Sequence, residues 1–429
     1  MDAGEHIDLE ITGVAHGGVF VGRHEGRVVF VPDTLPGERV RVRLTETRKK
    51  SFWRGEVAEV LTASPDRRPH VWAQAGLDHP APERPGGADF GHIELERQRS
   101  LKRDVVRDAL ARIGRLDVPV EIEGARPRVD ANGEVTATES ADGTGWRTRV
   151  SLHVDEDGRV GPYAARSHTV VPVSELPLAT AAVARAAARL RGTKPGRIDL
   201  VQPADGRVRV LPRPAGAPAD PLVRETVVET AGDREFRLDA GGFWQVHRLA
   251  ASTLHAMVTE SLAGLGGLDG DARHLDLYGG VGLFAAAIGA LIGPGAKVTT
   301  VESDERATEH AGANLADWVG ARAETARVER WLAQLQATAS PAERARISDG
   351  VVVLDPPRSG AGIEVTRAVA RLTPRAVVYV ACDPVALARD LAVFAEAGYR
   401  ADEVRAVDLF PHSHHIEAVT TLIPVDRRG

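Results

Sequence analysis

The chain has 429 residues, 43% of them hydrophobic and 27% charged, with a formal net charge of -6 and a single cysteine. That composition reads as soluble and globular, with length for two or three domains; it excludes a polycation, a disulfide framework and a multi-cysteine metal site. No apolar run approaches the roughly 20 residues of a membrane helix, and the polar start Met1-Asp2-Ala3-Gly4-Glu5-His6 is no secretory signal, so a cytoplasmic protein without membrane attachment is expected.

Residues 7–62 read as short strands. Val19-Phe20-Val21-Gly22 and Arg27-Val28-Val29-Phe30-Val31 flank a hairpin turn at Arg23-His24-Glu25-Gly26. Arg39-Val40-Arg41-Val42-Arg43-Leu44 alternates charge with aliphatic, giving one basic face and one core face. Lys49, Lys50 and Arg54 extend that face beside Phe52 and Trp53. Several short strands in so short a stretch suggest an oligonucleotide-binding (OB-like) barrel. Basic and aromatic residues together suit a nucleic-acid backbone with stacked bases; a merely solvated strand face is the alternative.

Residues 64–96 are rich in Pro, Gly and His and read as irregular. Leu101, Val105, Leu110 and Ile113 give helical spacing over Leu95 to Ile113, ended by Gly114. Residues 125–145 are polar and Gly-rich, a loop. Strand character returns from Trp146, with a hairpin signal at Asp157-Gly158. An Ala-rich helix follows at Ala179 to Leu190, then strands from Ile198 to Phe236.

From about residue 245 the texture changes. His274-Leu275-Asp276-Leu277, Val298-Thr299-Thr300-Val301, Val351-Val352-Val353-Leu354 and Val377-Val378-Tyr379-Val380 are apolar runs separated by helical stretches. This is an α/β pattern: a parallel sheet covered on both faces. Its ligands should lie at the carboxyl ends of the strands.

The first of these strands runs into Tyr278-Gly279-Gly280-Val281-Gly282. Gly280, Gly282 and Ala285 have the spacing of a dinucleotide turn, with Glu302 about where a ribose-binding acid belongs. Asp276, just before the turn, would repel a pyrophosphate. S-adenosylmethionine has no phosphate; it carries a sulfonium and an ammonium, and an acid beside the turn would attract it. Leu354-Asp355-Pro356-Pro357-Arg358 stiffens the chain and fixes Asp355 at the sheet edge. Cys382, the sole thiol, ends the fourth strand, and Glu417 precedes the last apolar run. Cys382 is either a small buried hydrophobe or a nucleophile. His412, His414 and His415 have no second ligand cluster, so no metal is expected.

A thiol, a carboxylate and a methyl donor at one edge suit methylation of carbon 5 of uracil. A thiolate adding to carbon 6 makes carbon 5 electron-rich, and a base must then remove its proton. Cys382 is the candidate nucleophile and Glu417 the candidate base. Asp383 would raise the thiol's pKa unless a cation such as Arg358 or Arg389 compensates.

These residues resemble the three signature blocks of the S-adenosylmethionine-dependent RNA 5-methyluracil methyltransferases: Asp355-Pro356-Pro357-Arg358; Cys382-Asp383-Pro384 with Ala388-Arg389-Asp390; and His415-Ile416-Glu417. Phe243-Trp244-Gln245-Val246 is similar to that family's Phe-x-Gln element. The resemblance spans most of the chain. It implies a Rossmann-like class I methyltransferase domain, cofactor contacts from Gln245, Tyr278, Glu302 and Asp355, Cys382 as nucleophile and Glu417 as proton acceptor. It further implies an RNA-binding TRAM barrel at residues 1–63, a central α+β domain with its irregular linker at 64–240, and the methyltransferase domain at 241–429. The partner expected is rRNA or tRNA, bound by a monomer. Asp383 and His247 stand where the family usually has Asn, and residues 64–96 lack the cysteines of the iron–sulfur cluster many members carry, so no such cluster is expected. Three other readings stay open: a methyltransferase on a different acceptor, an RNA-binding protein with a degenerate catalytic domain, and a nicotinamide oxidoreductase using the glycine turn and Glu302.

Overall fold

The computed structural model describes all residues except 131, 192–193, 217, 219–220 and 426–429, so parts of the expected 125–145 loop and of the 241–429 domain lie outside the described residues. Five strands open the chain: β1 (His6–Ala15), β2 (Val19–His24), β3 (Arg27–Val31), β4 (Arg39–Glu46) and β5 (Phe52–Thr62). They close into a barrel in the order β1-β2-β3-β5-β4. Alternation drives closure: Val40, Val42 and Leu44 point into a core with Ile7, Leu9, Phe20 and Val29, while Arg39, Arg41 and Arg43 point out. The β2–β3 turn is made by Glu25 and Gly26, both with left-handed backbone, as a tight hairpin requires.

Between barrel and large sheet come α1 (Leu95–Ala109), β6 (Val120–Gly124), the short pair β7 (Arg128–Val129) and β8 (Val135–Ala137), β9 (Arg149–Val154), β10 (Val160–Gly161), α2 (Ala181–Ala188), β11 (Gly196–Val201), β12 (Arg209–Pro214), β13 (Thr226–Ala231) and β14 (Arg234–Asp239). An antiparallel sheet runs β10-β9-β11-β12, and β13 pairs only with β14. The helix expected to reach Gly114 stays helical to that residue, but its last turn, Leu110–Gly114, is a π turn.

The remainder is α3 (Ala250–Ala263), β15 (His274–Leu277), α4 (Leu283–Ile292), β16 (Val298–Glu302), α5 (Glu305–Asn314), β17 (Arg322–Thr325), α6 (Val328–Thr338), α7 (Pro341–Ser348), β18 (Val351–Leu354), α8 (Gly362–Arg371), β19 (Ala376–Ala381), α9 (Pro384–Glu396), β20 (Tyr399–Asp408) and β21 (Glu417–Pro424). Eight strands form one sheet in the order β17-β16-β15-β18-β19-β21-β20-β6. β21 alone runs against the others. The outer strand β6 comes from the stretch between barrel and sheet, and α1 packs beside it against α9. Every residue of β15, β18 and β19 is buried, because helices cover both faces: Leu254 and Phe284 belong to one core, Val365 and Leu387 to the other. Burying side chains of this size stabilises the sheet by about 1.5–3 kcal/mol each.

Candidate active site

The order of the strands decides where chemistry can occur. The chain leaves β15 toward β16 on one side and returns to β18 on the other, so a crevice opens at the carboxyl ends of β15 and β18. Register then aligns the candidates. Leu277 pairs with Val301 on one side and with Leu354 on the other. The next residue of each strand is Tyr278, Glu302 and Asp355, so all three stand in one row at the sheet edge. Val380 pairs with Val419 and Ala381 with Ala418; one step on, Cys382 lies opposite Glu417. Because β21 is antiparallel, its first residue meets the last of β19.

All six predicted residues, Gln245, Tyr278, Glu302, Asp355, Cys382 and Glu417, line one cleft of about 1010 Å³. The glycine turn forms its floor. Tyr278 has positive φ (64°), as does Gly280 (54°). A Cβ on Gly279 would sit 1.9 Å from Thr300 Oγ1 and 2.5 Å from Asp276 Oδ2, so no other residue fits there. Glu302 accepts hydrogen bonds from Gly280 N at 3.2 Å and from Asp304 N at 2.9 Å. Its carboxylate thereby joins the glycine turn to the start of α5.

Asp276 departs from expectation. It lies under the turn and does not reach the cleft: its Oδ2 accepts from Ala285 N at 3.0 Å and Thr300 Oγ1 at 3.1 Å. Burial pushes its carboxyl up to about 7, against those bonds. It holds the turn's shape from below. Asp355 is likewise raised to about 7, by burial and then by the charge of Asp276.

Cys382 is half-buried. Burial, then Glu417, Asp355 and Asp383, push its thiol up to about 12, opposed by Arg358. Of the two expected cations, only Arg358 acts on the sulfur; Arg389 turns away to Asp390 and to the carbonyl of Ser359. Glu417 is held well above the usual carboxylate range by burial and by Asp355, against Arg358.

Asp390 explains the second block. It is fully buried, and its Oδ2 accepts from Tyr379 Oη at 2.6 Å and from Ala361 N at 2.8 Å. It ties α9 to the segment after Pro357 and so fixes Arg358 relative to Cys382. Asp239, which accepts from Arg306 and from His310 at 2.7 Å, is a buried cleft residue that sequence reasoning missed. No local spacing announces it, since its partners lie 67 and 71 residues away. His247 is a core residue, stacked on Trp146 at 5.5 Å with Nδ1 accepting from Leu249 N; burial lowers it to about 3. His412 bonds Gln98 and the Asp142 carbonyl, and His414 bonds Asp89. Phe243, by contrast, is 77% exposed at the cleft.

The barrel face corrects the sequence reading in part. Trp53 is core, and Arg39, Arg41 and Arg43 are each paired with acids: Asp8, Asp8 with Glu59, and Glu56. Cations remain around the exposed end, where Lys49 lies 4.7 Å over Phe52 and Arg27 lies 4.6 Å over Trp53.

Residues 3–58 match the TRAM domain family, and residues 250–424 match the tRNA (Uracil-5-)-methyltransferase family. A Streptomyces coelicolor protein named as an uncharacterized RNA methyltransferase is 38% identical over 98% of this chain and 93% of its own length. The chain belongs to the RNA uracil-5-methyltransferase family. The Halomonas elongata 23S rRNA (uracil(1939)-C(5))-methyltransferase RlmD is 30% identical over 97% of this chain and 89% of its own. The Pyrococcus abyssi tRNA (uracil-54, C5)-methyltransferase, solved with S-adenosyl-L-homocysteine, shares the fold with TM-score 0.66 at 21% identity, over 97% of this chain and 100% of that one. The chain is thus an S-adenosylmethionine-dependent RNA methyltransferase with an α/β catalytic domain and an N-terminal OB-like barrel. The cleft suits that cofactor: the glycine turn carries no side chain at Gly279, and its neighbours Glu302 and Asp355 are carboxyls, which favour a cationic ligand over a pyrophosphate. Among the described residues no helix is long and apolar enough to cross a membrane.

Proposed function

We propose that the protein methylates carbon 5 of a uridine in rRNA or tRNA, through a covalent adduct on Cys382 with Glu417 as base. The observation that carries this is the strand register that sets Cys382 opposite Glu417 at the end of the cofactor cleft. S-adenosylmethionine supplies the electrophilic methyl group. Gln245, Tyr278, Glu302 and Asp355, which line the cleft together, are the residues proposed to hold it. Cys382 then forms a bond from sulfur to carbon 6 of the uracil, and the carbon 5–carbon 6 electron pair moves onto carbon 5 and the adjoining carbonyl. Carbon 5 takes the methyl as the methyl–sulfonium bond breaks and leaves a neutral thioether; the carbon 5 proton then goes to Glu417, and the bond from Cys382 sulfur to carbon 6 breaks, returning the thiolate and restoring the pyrimidine. Arg358 assists by favouring the thiolate. The base must leave its stack to reach this edge.

Residues 1–63 are proposed as the RNA-binding unit, with Lys49, Arg27 and Phe52 on its contact face, 64–240 as the central unit and 241–429 as the catalytic unit. The protein is read as a cytoplasmic monomer. The relation to a 23S rRNA enzyme favours rRNA as the target class. RNA containing 5-fluorouracil tests the proposal, because fluorine cannot leave as a proton does. We expect a stable protein–RNA adduct with the cofactor present and none with Cys382→Ala; an adduct or methylation surviving in Cys382→Ala sinks the mechanism.

A further inference from the structure

The barrel is not only beside the catalytic domain; one of its loops enters the site. Ala15 at the end of β1 and the loop 16–18 that leads to β2 form a wall of a second, smaller cavity of about 140 Å³ that shares Cys382, Arg358 and His415 with the main cleft. Two contacts seat the loop. His16 Nε2 lies 2.8 Å from Asp383 Oδ2. Gly18 has positive φ (72°), and a Cβ there would sit 2.8 Å from His414 Cβ, so the loop backbone rests directly on the segment that leads to Glu417. Asp383 uses its other oxygen to cap α9, accepting from Ala386 N at 2.8 Å. The carboxylate adjoining the thiol is therefore held from both sides, by its own helix and by the barrel.

We propose that His16 is a positioning residue for Cys382, carried by the RNA-binding barrel: through Asp383 it fixes the turn that presents the sulfur and offsets the negative charge beside it. This rests on Cys382 being the nucleophile. It also gives Asp383, which replaces the family's usual Asn, a partner that the sequence could not reveal. The hydrogen bond to Asp383 holds His16 above its ordinary value. Burial works to raise Asp383, but the bonds from His16 and Ala386 N outweigh it and hold the carboxyl low. The charges facing the sulfur are Glu417, Asp355, Arg358 and Asp383; across the small cavity stand Lys102, His414 and His415. As pH rises through the His16 value, its charge is lost and Asp383 acts on the thiol without that offset, leaving Arg358 as the opposing cation.

Cys382 is the sole cysteine, so alkylation of the intact protein with iodoacetamide reads this thiol without interference. For an isolated thiol below its pKa the rate rises about tenfold per pH unit. We expect a shallower rise in the wild type as pH passes through the raised His16 value, and the full slope in His16→Ala, with alkylation slower by roughly three- to tenfold at the lower end, where wild-type His16 is charged, and converging on wild type at the upper end; that is half to one pKa unit. His16→Gln, which keeps a donor without the charge, should show the full slope with unaltered thermal unfolding. Asp383→Asn still caps the helix and should alkylate faster than wild type, with no further response to His16→Ala. A profile unchanged within about twofold in His16→Ala overturns the proposal. If that variant fails to fold, His16→Gln decides alone: a profile within about twofold of wild type overturns it. Alkylation does not depend on methyl transfer, so a failed Cys382→Ala methylation test would leave this result separately readable.

Discussion

The barrel surface and the carboxyl edge of the large sheet are both crowded with charge, yet they handle it in opposite ways. On the barrel, Arg39, Arg41 and Arg43 face Asp8, Glu59 and Glu56 across strands, exposed and mutually neutralised. At the sheet edge, Asp355 and Glu417 gather with Arg358 offsetting Glu417, and Asp276 is buried beneath them under the turn. Exposed pairs are worth about 0–1 kcal/mol, so the barrel can arrange them freely. Clustered buried acids oppose folding, and this fold keeps them where they line the cleft or, as with Asp276, hold the turn beneath it. Charge content alone therefore does not locate function; unpaired charge in a buried setting does.

The contrast can be broken most sharply at Cys382. Cys382→Ala should reduce 5-methyluridine formation to the detection limit with unfolding unchanged, since no strong polar contact is lost. Glu417→Gln should lower the methylation rate by about 10²–10⁴-fold while a methylated adduct accumulates, visible by mass spectrometry. A rate close to wild type would remove Glu417 from the role of base.

The buried acids should also mark the pH dependence of stability. Asp276 and Asp355 hold protons more tightly folded than unfolded, each with a folded value of about 7 against an ordinary 3.8. Unfolding releases those protons, so their contribution lowers stability as pH rises through that window; it is absent below the window and complete above it. Asp276→Asn should flatten the dependence and gain up to a few kcal/mol above neutral pH in denaturant titrations. A steeper dependence would contradict the burial assigned to it.

The smallest effects belong to the barrel. Arg41→Ala should change stability by less than about 1 kcal/mol and leave RNA affinity near wild type. Lys49→Ala should weaken RNA binding at every sequence and reduce the slope of log affinity against log salt by about 1. Equal effects of the two would dissolve the distinction between paired and unpaired cations.

Strand positions were legible because buried parallel strands are continuous apolar runs: β15, β16, β18 and β19 fall where Leu275, Val301, Val353 and Val378 predict. β20 and β6 were not, since their residues mix charge with aliphatic and take strand form where β20 pairs with β21 and β6 with β20. The candidate site was legible through three short motifs, each local in the chain. The roles of Asp390, Asp239 and His16 were not, because their partners are distant in sequence and nothing near them signals the contact.

Taken alone, the sequence determined the alternation that closes a barrel, the apolar runs of a covered sheet, a lone thiol and the acids set at strand ends. These are properties of neighbours along the chain. That Cys382 faces Glu417, that Asp276 supports the turn from beneath, and that a barrel histidine reaches Asp383 were decided only by strand order, register and domain packing. The physical reason is range: backbone periodicity is set within a few residues, whereas charge, desolvation and hydrogen bonding act between whatever groups folding brings within a few ångströms.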